Sequence, residues 1–445
     1  MNIALMHFRV GETDGVSLEM EKWKTVLSQM GHTVYYIAEK PGEDTYAIPE
    51  LDIRSASHKK IFHNAYEAFE DYDSESEFKS VIEAMADRIH AKLLELIDTL
   101  ELDLIVVNNV SSLGLHLPAG LAIDKLQKKN IVDIAYHHHD FYWERERYAH
   151  PTVPYVASLL DKAFPPLAKD ARHFVINKIA QKELKKRKGI DATVIPNVFD
   201  FERKAWDKDD FNKDLRERLD IKDNDIVLLQ ATRIEDRKAI EFAVYLADHM
   251  QTEIRQFVGR TLFSGETVGE DSLVHLVIAG MNEMKADRYA KLKALFEGKS
   301  AKVHLINDSV ESMRRASPEK KYSLWDVYTM ADAITYPSIL EGWGNQLIEA
   351  IFAKKPIVLY EYPVYKTDIA PLDFKVITLG DTFHTDDNGL YTLDANAYSR
   401  AADKLWDVLF DKEQYETMVE HNYAVGKQQL SYSKLQKLLK DHLLN

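Results

Sequence analysis

Two glutamates, Glu341 and Glu349, stand on either side of a glycine-containing turn in the C-terminal half of the chain. Gly342 and Gly344 lie in this turn, which follows an apolar run and precedes a predicted helix that begins at about Asn345. A glycine-rich turn lets backbone N–H groups approach a phosphate closely, and the helix N-terminus adds partial positive charge. The residues therefore predict a phosphate-binding turn beside two carboxylates.

A second polar group, the run from His137 to Asp140, follows the apolar segment IVDIAY. Three consecutive histidines suggest a metal site, but adjacent side chains on a strand point to opposite faces. His138 therefore cannot easily join His137 and His139 on one ion, and no other histidine or carboxylate shows a ligand spacing to them. We predict no metal here.

Two arginines, Arg145 and Arg147, follow the histidines in the stretch WERER. Their guanidinium groups could receive an anionic ligand such as a carboxylate or a phosphate. They could equally pair with Glu144 and Glu146 on a solvated loop. The sequence leaves both alternatives open.

The elements that must position these residues are short runs rich in Val, Ile and Leu, separated by segments with helical periodicity. Nearly continuous apolar strands indicate a parallel sheet covered on both faces, and alternation with helices indicates an α/β fold. The clearest runs are residues 2–8, 103–109, 131–137, 173–177, 225–232, 273–280, 302–307, 333–338 and 356–360.

The apolar runs fall into two groups, separated by a charged stretch that is short of strand character and follows Val194–Pro196. We therefore predict two Rossmann-like domains that face each other across a cleft, with ligands beyond the carboxyl ends of the strands. The predicted ranges are 1–197, with a polar insertion at about 39–80, and 198–410. Residues 411–445 read as helices that cross back to the first domain.

Composition excludes several classes of protein. The 445 residues exceed what one hydrophobic core usually organises, and a net charge of −15 gives nucleic-acid binding little support. There is no cysteine, which rules out disulfides and thiol catalysis. No apolar run approaches the roughly 18 residues that span a bilayer. The N-terminus reads as a strand and not as a signal peptide, so we expect a cytoplasmic protein without membrane contact.

The stretch EGWGNQLIE resembles the E-x7-E signature of retaining GT-B glycosyltransferases, and PSILEGWGNQLIEA is similar to its family 4 version (glycosyl transferases group 1). The resemblance implies that Glu341 contacts hydroxyls of the donor sugar and that Glu349 holds the ribose hydroxyls. It also implies that the intervening backbone amides bind the diphosphate or the sugar. Those amides belong to Gly342, Trp343, Gly344, Asn345 and Gln346.

The segment 231–247 resembles the pattern of the same family in which an arginine precedes a lysine by five residues, here Arg233 and Lys238. Fixed cations of this kind stabilise a departing diphosphate, which develops negative charge as the glycosidic bond breaks. The chain departs from the family pattern at Thr232 and Ala239, where glycine is common. Arg237 is an alternative cation, although the spacing from Arg233 favours Lys238.

Three further stretches resemble the family. VIPNVFD is similar to its interdomain hinge, with Val198 in place of glycine. In the loop after the first strand, Gly15 is the candidate for a place near the donor phosphates, while the role of Asp14 stays open. At the end of the strand IVDIAY, His139 and Asp140 match the residues beside the reacting centre best, with His138 as the competing register.

The resemblance implies metal-independent transfer of a hexose from a nucleotide diphosphate sugar to an acceptor hydroxyl, with retention of configuration and without a cofactor. We expect UDP-glucose as the donor, with GDP-mannose second, and a small soluble acceptor such as a sugar, sugar phosphate or sugar acid.

An unusual insertion at 311–321 makes it difficult to compare with the family the region that contacts the nucleotide base. The D-x-D at Asp71–Asp73 lies in a polar run, and we interpret it as coincidence. The rivals are a sugar-nucleotide epimerase and a transferase for lipid or polysaccharide acceptors.

Overall fold

A computed structural model describes residues 1–11, 14–168 and 171–444 of the chain. The chain divides into two compact units. The first comprises Met1–Val198 together with Tyr432–Asn445, and the second comprises Phe199–Ser431. The boundary therefore lies inside the VIPNVFD stretch, and the last helix returns to the first unit.

The first unit is built on a seven-stranded sheet whose strand order is β3-β2-β1-β4-β5-β6-β7, with parallel pairing throughout. The chain moves outward from β1 in one direction and then in the other, which is the topology of a Rossmann-like fold. The strands are β1 (Asn2–Met6), β2 (Thr33–Ala38), β3 (Thr45–Ala47), β4 (Leu104–Asn108), β5 (Asp133–His138), β6 (Arg172–Val175) and β7 (Thr193–Val194).

Helices connect these strands, and single-turn helices lie at Pro49–Leu51 and Tyr142–Glu144. The α-helices are α1 (Gly15–Gln29), α2 (Ala56–Tyr66), α3 (Glu75–Thr99), α4 (Leu117–Lys129), α5 (Glu146–Ala149), α6 (Pro154–Ala163) and α7 (Lys178–Lys188).

The second unit has a six-stranded parallel sheet of order β10-β9-β8-β13-β14-β15 and two separate two-stranded sheets. Its order again runs outward from the first strand in both directions, so this unit is Rossmann-like too. The strands are β8 (Ile226–Gln230), β9 (Val274–Ile278), β10 (Lys302–Leu305), β11 (Val310–Glu311), β12 (Tyr322–Ser323), β13 (Ala333–Tyr336), β14 (Ile357–Leu359), β15 (Ile377–Thr378), β16 (His384–Thr385) and β17 (Tyr391–Thr392).

The helices of the second unit include single turns of 3₁₀-helix at Asp236–Lys238, Ile254–Phe257, Asn307–Ser309 and Ala370–Leu372, and a π-helix at Tyr365–Ile369. No helix in the described ranges is long and apolar enough to cross a membrane. The α-helices are α8 (Leu215–Arg218), α9 (Ile240–Glu253), α10 (Ala286–Glu297), α11 (Leu324–Met330), α12 (Asn345–Phe352), α13 (Ala395–Leu409) and α14 (Lys412–Gln429), and α15 (Tyr432–His442) follows in the first unit.

The predicted α/β fold is confirmed, since each of the nine apolar runs overlaps a strand of one of the two parallel sheets. The central strands are largely apolar because both of their faces are covered, whereas the edge strand β10 is partly exposed. In β1, Ala4 and Met6 enter one core, while Ile3 and Leu5 enter the core on the opposite face. Helices α3 and α4 cover the first face, and α1 and α15 cover the second.

The polar segment 39–80 contributes to the first unit's sheet and core. It contains β3, which pairs with β2, and helix α2. Ile48, Leu51 and Ile61 from this segment are at most 2% exposed within the core that faces α3. Most polar residues of the segment are exposed or partly exposed, although Glu39, His58 and Asn64 are buried, and its composition therefore gives little sign of a buried face.

Candidate active site

The histidines at the end of β5 have different surroundings. His138 is buried, its Nδ1 lies 2.7 Å from Ser112 Oγ and its Nε2 lies 3.0 Å from Nδ1 of His173. His137 is buried on the other face, with Nδ1 3.0 Å from Asn108 Oδ1. Both rings are therefore part of the buried hydrogen-bond network of the first unit. In the described ranges, no group of His, Asp and Glu side chains forms a metal site.

His139 and Asp140 are held by Asn109, a residue that the sequence did not single out. Asn109 Oδ1 accepts hydrogen bonds from the backbone N–H groups of His139 at 3.1 Å and Asp140 at 3.2 Å, and its Nδ2 donates to Asp140 Oδ1 at 2.6 Å. Asn109 has a φ of 61°, in the left-handed region that asparagine tolerates. Arg145 donates to Asp140 Oδ2 from Nε at 2.8 Å and from Nη2 at 2.5 Å.

The His139 imidazole has a ring nitrogen without a hydrogen-bond partner in the described ranges, as do the rings of His137 and His173. In His139 this atom is Nε2, which is buried. Burial lowers the pKa of His139 to about 4, although the nearby Asp140 carboxylate acts in the opposite direction. The ring is therefore neutral at physiological pH. It can donate or accept one hydrogen bond from a bound ligand without adding charge.

Helix α1 begins beside this group. Asp14 is its N-cap, and Asp14 Oδ1 accepts from the N–H groups of Val16 at 3.1 Å and Ser17 at 3.2 Å. Gly15 is the exposed first residue of the helix. Arg9 Nε lies 3.4 Å from Asp14 Oδ2. A carboxylate therefore occupies the position at the helix N-terminus where a phosphate would bind.

In the second unit, the structure brings Glu341 together with two cations. Lys238 Nζ forms an ion pair with Glu341 Oε1, and Arg237 Nη1 lies 2.8 Å from Glu341 Oε2. The side chains of Glu341 and Lys238 are 9% and 10% exposed. The sequence favoured Lys238 over Arg237, but the fold uses both on the same carboxylate.

Arg233 belongs to the same chain of ion pairs. Its Nη1 lies 2.9 Å from Glu283 Oε2, and its Nε lies 3.1 Å from Glu235 Oε1. Glu235 also reaches Arg237 Nε at 2.9 Å, which links Arg233 to the Glu341 group. Neither Glu235 nor Glu283 was singled out in the sequence. Glu283 lies 50 positions from Arg233 and comes near it only through the pairing of β8 with β9.

Burial and charge compete in this group. Burial opposes ionisation of Glu341 most strongly, but the charges of Lys238 and Arg237 together overcome it and lower the pKa of the carboxyl. For Lys238, burial dominates, and it lowers the pKa of the ammonium despite the attraction of Glu341. Glu341 is therefore an ionised anchor for cations and not a proton donor.

The turn before α12 has a conformation that requires glycine at its last position. Gly344 has a φ of 135°, and a Cβ there would meet the Tyr362 hydroxyl, with the Tyr336 hydroxyl 3.1 Å away. Tyr362 donates to the carbonyl of Trp343 at 2.7 Å. Trp343 itself is buried. The hydroxyls of Tyr362 and Tyr336 thus lie against the backbone at Gly344. Gly342, two residues earlier, is exposed.

Helix α12 starts at Asn345, as predicted, and carries the second glutamate one turn later. Gln346 is buried in its first turn and donates to a carbonyl of β13 at 3.4 Å. Glu349 Oε2 accepts a hydrogen bond from the hydroxyl of Tyr328 at 2.7 Å. Tyr328, a buried residue of α11, is another partner that the sequence did not reveal.

Several of the predicted site residues in each unit lie at the carboxyl ends of parallel strands. His139 and Asp140 follow β5 in the first unit, whereas Arg233 and Lys238 follow β8 in the second. Glu341 follows β13 there as well. This edge of an α/β sheet is where such folds bind ligands.

Comparison with known proteins gives the site its context. The family model for glycosyl transferases group 1 matches residues 211–424. Mannosylglucosylglycerate synthase from Petrotoga mobilis is 40% identical over 428 residues, which cover 96% of this chain and 97% of that protein. The enzyme of the same name from Thermotoga maritima is 39% identical over 448 residues, which cover 100% of both chains.

Among solved structures, sucrose-phosphate synthase (tll1590) from Thermosynechococcus elongatus superposes with a TM-score of 0.62 at 13% identity, and the match covers 99% of this chain and 97% of that one. At this identity the likeness concerns the fold alone, which is the GT-B fold of two Rossmann-like halves. With relatives of about 40% identity along the whole chain, the protein belongs to the glycosyl transferases group 1 family and is a glycosyltransferase.

Proposed function

We propose that this enzyme transfers mannose from GDP-mannose to glucosylglycerate and so forms mannosylglucosylglycerate. The observation that carries the proposal is 39–40% identity, along essentially the whole chain, to two enzymes whose names state that product. The names describe a product with a mannosyl group on glucosylglycerate, which supports mannose as the added sugar. They therefore favour the second of the two donors expected from the sequence over UDP-glucose. Glucosylglycerate is a small sugar acid, one of the acceptor classes expected from the sequence.

In the proposed reaction, a hydroxyl oxygen of the acceptor forms a bond to C1 of mannose. The bond between C1 and the diphosphate oxygen breaks, and its electron pair leaves with GDP. The proton of the attacking hydroxyl passes to the departing phosphate, on the same face of the sugar, so configuration is retained. No nucleophile from the protein and no metal or other cofactor takes part in this scheme.

The cations of the second unit would stabilise the departing diphosphate. Lys238 and Arg237 are held in fixed positions by the buried Glu341, so little reorganisation is needed when negative charge develops. Arg233 would exchange its exposed pairing with Glu283 for a phosphate oxygen. Glu349, oriented by Tyr328, would accept hydrogen bonds from the ribose hydroxyls.

The groups of the first unit would position the sugars. Neutral His139 has an unused ring nitrogen that can form a hydrogen bond to the donor sugar or the acceptor hydroxyl. Asp140 is fixed by Asn109 and Arg145 and would hold the backbone turn on which His139 stands.

The test is a donor and acceptor matrix. The purified enzyme is incubated with GDP-mannose or UDP-glucose, each with glucosylglycerate and with no acceptor, and products are identified by mass spectrometry and NMR. We expect a mannosylated product with retained configuration only from GDP-mannose with glucosylglycerate, and equal rates with and without EDTA. Transfer from UDP-glucose alone would overturn the donor assignment, and epimerised donor without acceptor would overturn the reaction type.

A further inference from the structure

The two arginines of the WERER stretch have different roles in the structure. Arg145 is committed to Asp140, which it contacts through two nitrogens. Glu144 is also occupied, since its carboxylate accepts a hydrogen bond from Phe141 N at 2.7 Å. Within the described ranges, no carboxylate pairs with Arg147. Of the two alternatives left open by the sequence, pairing with Glu144 or Glu146 is therefore not what the fold shows.

Arg147 instead lies over aromatic rings. Its guanidinium carbon is 4.6 Å from the centre of the Phe62 ring and 5.4 Å from that of Tyr148. Tyr66 packs against both rings, with 5.2 Å between centres in each case. We call Phe62, Tyr66 and Tyr148 the aromatic shelf. Its position is fixed, because Tyr148 is buried and the Tyr66 hydroxyl donates to the Gly114 carbonyl at 2.7 Å.

This arrangement leaves Arg147 exposed and, within the described ranges, not paired with a carboxylate. Contact with the rings restricts the movement of Arg147, which lowers the entropy lost on binding. The N–H groups of a guanidinium lie in its plane. A carboxylate binds a guanidinium in that plane, through two parallel hydrogen bonds. The aromatic shelf therefore prepares Arg147 for a planar anion.

The aromatic shelf belongs to the neighbourhood of the His139–Asp140 turn. Helix α5, which carries Arg147 and Tyr148, begins six residues after Asp140 in the chain. Burial raises the pKa of the Tyr148 phenol, Arg147 opposes the rise and the Asp140 carboxylate adds to it. Asp140 and Arg147 thus act on the same side chain. The backbone links the two groups as well, since Tyr148 N donates at 3.0 Å to the carbonyl of Arg145, the residue whose side chain contacts Asp140.

We propose that Arg147, held on the aromatic shelf, binds the carboxylate of the sugar-acid acceptor and determines the preference for charged over neutral acceptors. This inference rests on the proposed function, because it assumes that the acceptor is glucosylglycerate. It assigns the glyceric-acid end of the acceptor to the first unit. It adds a specificity residue that takes no part in bond breaking.

Two acceptors that differ only at the charged end test this assignment. Glucosylglycerol replaces the carboxylate of glucosylglycerate by a neutral hydroxymethyl group. The enzyme and its Arg147→Gln and Arg147→Lys variants are compared with GDP-mannose and each acceptor. A charge-assisted, bidentate contact corresponds to a loss of about 10- to 100-fold in kcat/KM. We expect that loss for Arg147→Gln with glucosylglycerate, mainly through KM, a change below about 2-fold with glucosylglycerol, and partial retention in Arg147→Lys.

Arg260 provides a matched control in the second unit. It is also an exposed arginine that stacks on two rings, 4.1 Å from Phe410 and 5.5 Å from Phe257. Arg260→Gln should leave the acceptor preference unchanged. An equal loss with both acceptors in Arg147→Gln would indicate a structural role and overturn the inference, as would no loss with either. Wild-type enzyme that mannosylates neither acceptor would instead overturn the proposed function.

Discussion

At the scale of single residues, Glu341 matters for what it holds in place. Its carboxylate forms ion pairs with both Lys238 and Arg237 in a site that is largely closed to water. Removing one partner of such a group leaves the others with unbalanced charge, which is costly when they are buried. The same geometry keeps both cations ready for an anion.

Replacing Lys238 by methionine should therefore lower the stability of the second unit as well as its activity, although Glu341 keeps Arg237 as a partner. We expect kcat with GDP-mannose to fall about 100- to 1000-fold, the usual cost of losing one fixed donor to a developing charge. The measurement is initial rates of GDP release. Lys354→Met, which removes an exposed lysine paired with Glu420, is the control and should keep normal rates. A loss below 3-fold in Lys238→Met would contradict this role.

His139 gives a prediction on pH. Burial holds its pKa at about 4 in the folded protein, whereas unfolded histidine titrates near 6.5. Between these values the unfolded state binds the proton and the folded state does not. Stability is therefore lost as pH falls from about 6.5 to 4, by at most about 3 kcal/mol for this residue.

Urea unfolding of wild type and of His139→Gln between pH 4 and 7 measures this effect. The free energy of unfolding should decline less steeply with falling pH in His139→Gln. The difference in slope should correspond to at most one bound proton. The remaining decline reflects the other histidines whose pKa values burial lowers, among them His137, His138 and His173. Identical slopes for the two proteins would show that His139 has the same pKa in the folded and unfolded states, which contradicts the prediction.

Spacing along the chain revealed only part of these groups. Glu341 and Glu349 lie on either side of one turn, so their relation is local and visible in the sequence. The role of Asn109 was not visible in the sequence, because its contact with Asp140 depends on β4 and β5 lying side by side. Tyr328 was missed for the same kind of reason, since it reaches Glu349 from a different helix.

At the scale of elements, the turn between β13 and α12 depends on one backbone conformation. Gly344 adopts a φ of 135° directly above the Tyr362 hydroxyl. Side chains other than hydrogen are disfavoured there both by conformation and by space. The amides that precede α12 can therefore keep their direction only with glycine at this position.

Gly344→Ala should destabilise the second unit by about 2–4 kcal/mol, as strain and steric overlap add, and should weaken donor binding. Gly259→Ala separates the two causes, since Gly259 has a φ of 87° with no atom within 4 Å of a Cβ. It should cost only about 1 kcal/mol. Thermal unfolding and titration with GDP-mannose measure both effects. Equal costs for the two variants would show that the contact with Tyr362 relaxes freely.

Most strands that the apolar runs predicted are covered on both faces, and the partly exposed edge strand β10 is an exception. Runs such as the one containing β8 are buried along their full length, so composition alone marks them. The edge strands β7 and β15 have two residues each and carry no such signal. Their existence follows from the neighbouring strand, not from their own sequence.

At the scale of the whole molecule, the chain leaves the first unit at Val198 and returns to it at Tyr432. Leu435 and Leu439 of helix α15, and Leu443 just after it, are fully buried in the same core as Trp23. The sequence predicts that the C-terminal helices cross back to the first domain, and α15 lies in the first unit. The sequence does not reveal which residues of the first unit these leucines contact.

Leu439→Ala should cost the first unit about 2–5 kcal/mol, because a buried leucine leaves a cavity behind. Hydrogen exchange should quicken in α1, β1 and β4 and stay unchanged in the second unit's sheet. Gln436→Ala, at an exposed position of the same helix, should have no such effect. Faster exchange in both units alike would mean that they unfold as one.

The returning helix has a consequence for synthesis on the ribosome. Proteins usually fold from the N-terminus onward as the chain emerges. Here the second unit, Phe199–Ser431, has all its residues before the first unit receives its last helix. Until α15 emerges, the core that α1 shares with it, which includes Met20 and Trp23, lacks the leucines that cover it in the folded protein. The part that is made first is thus the last to be completed, and its apolar side chains stay accessible to water for longest.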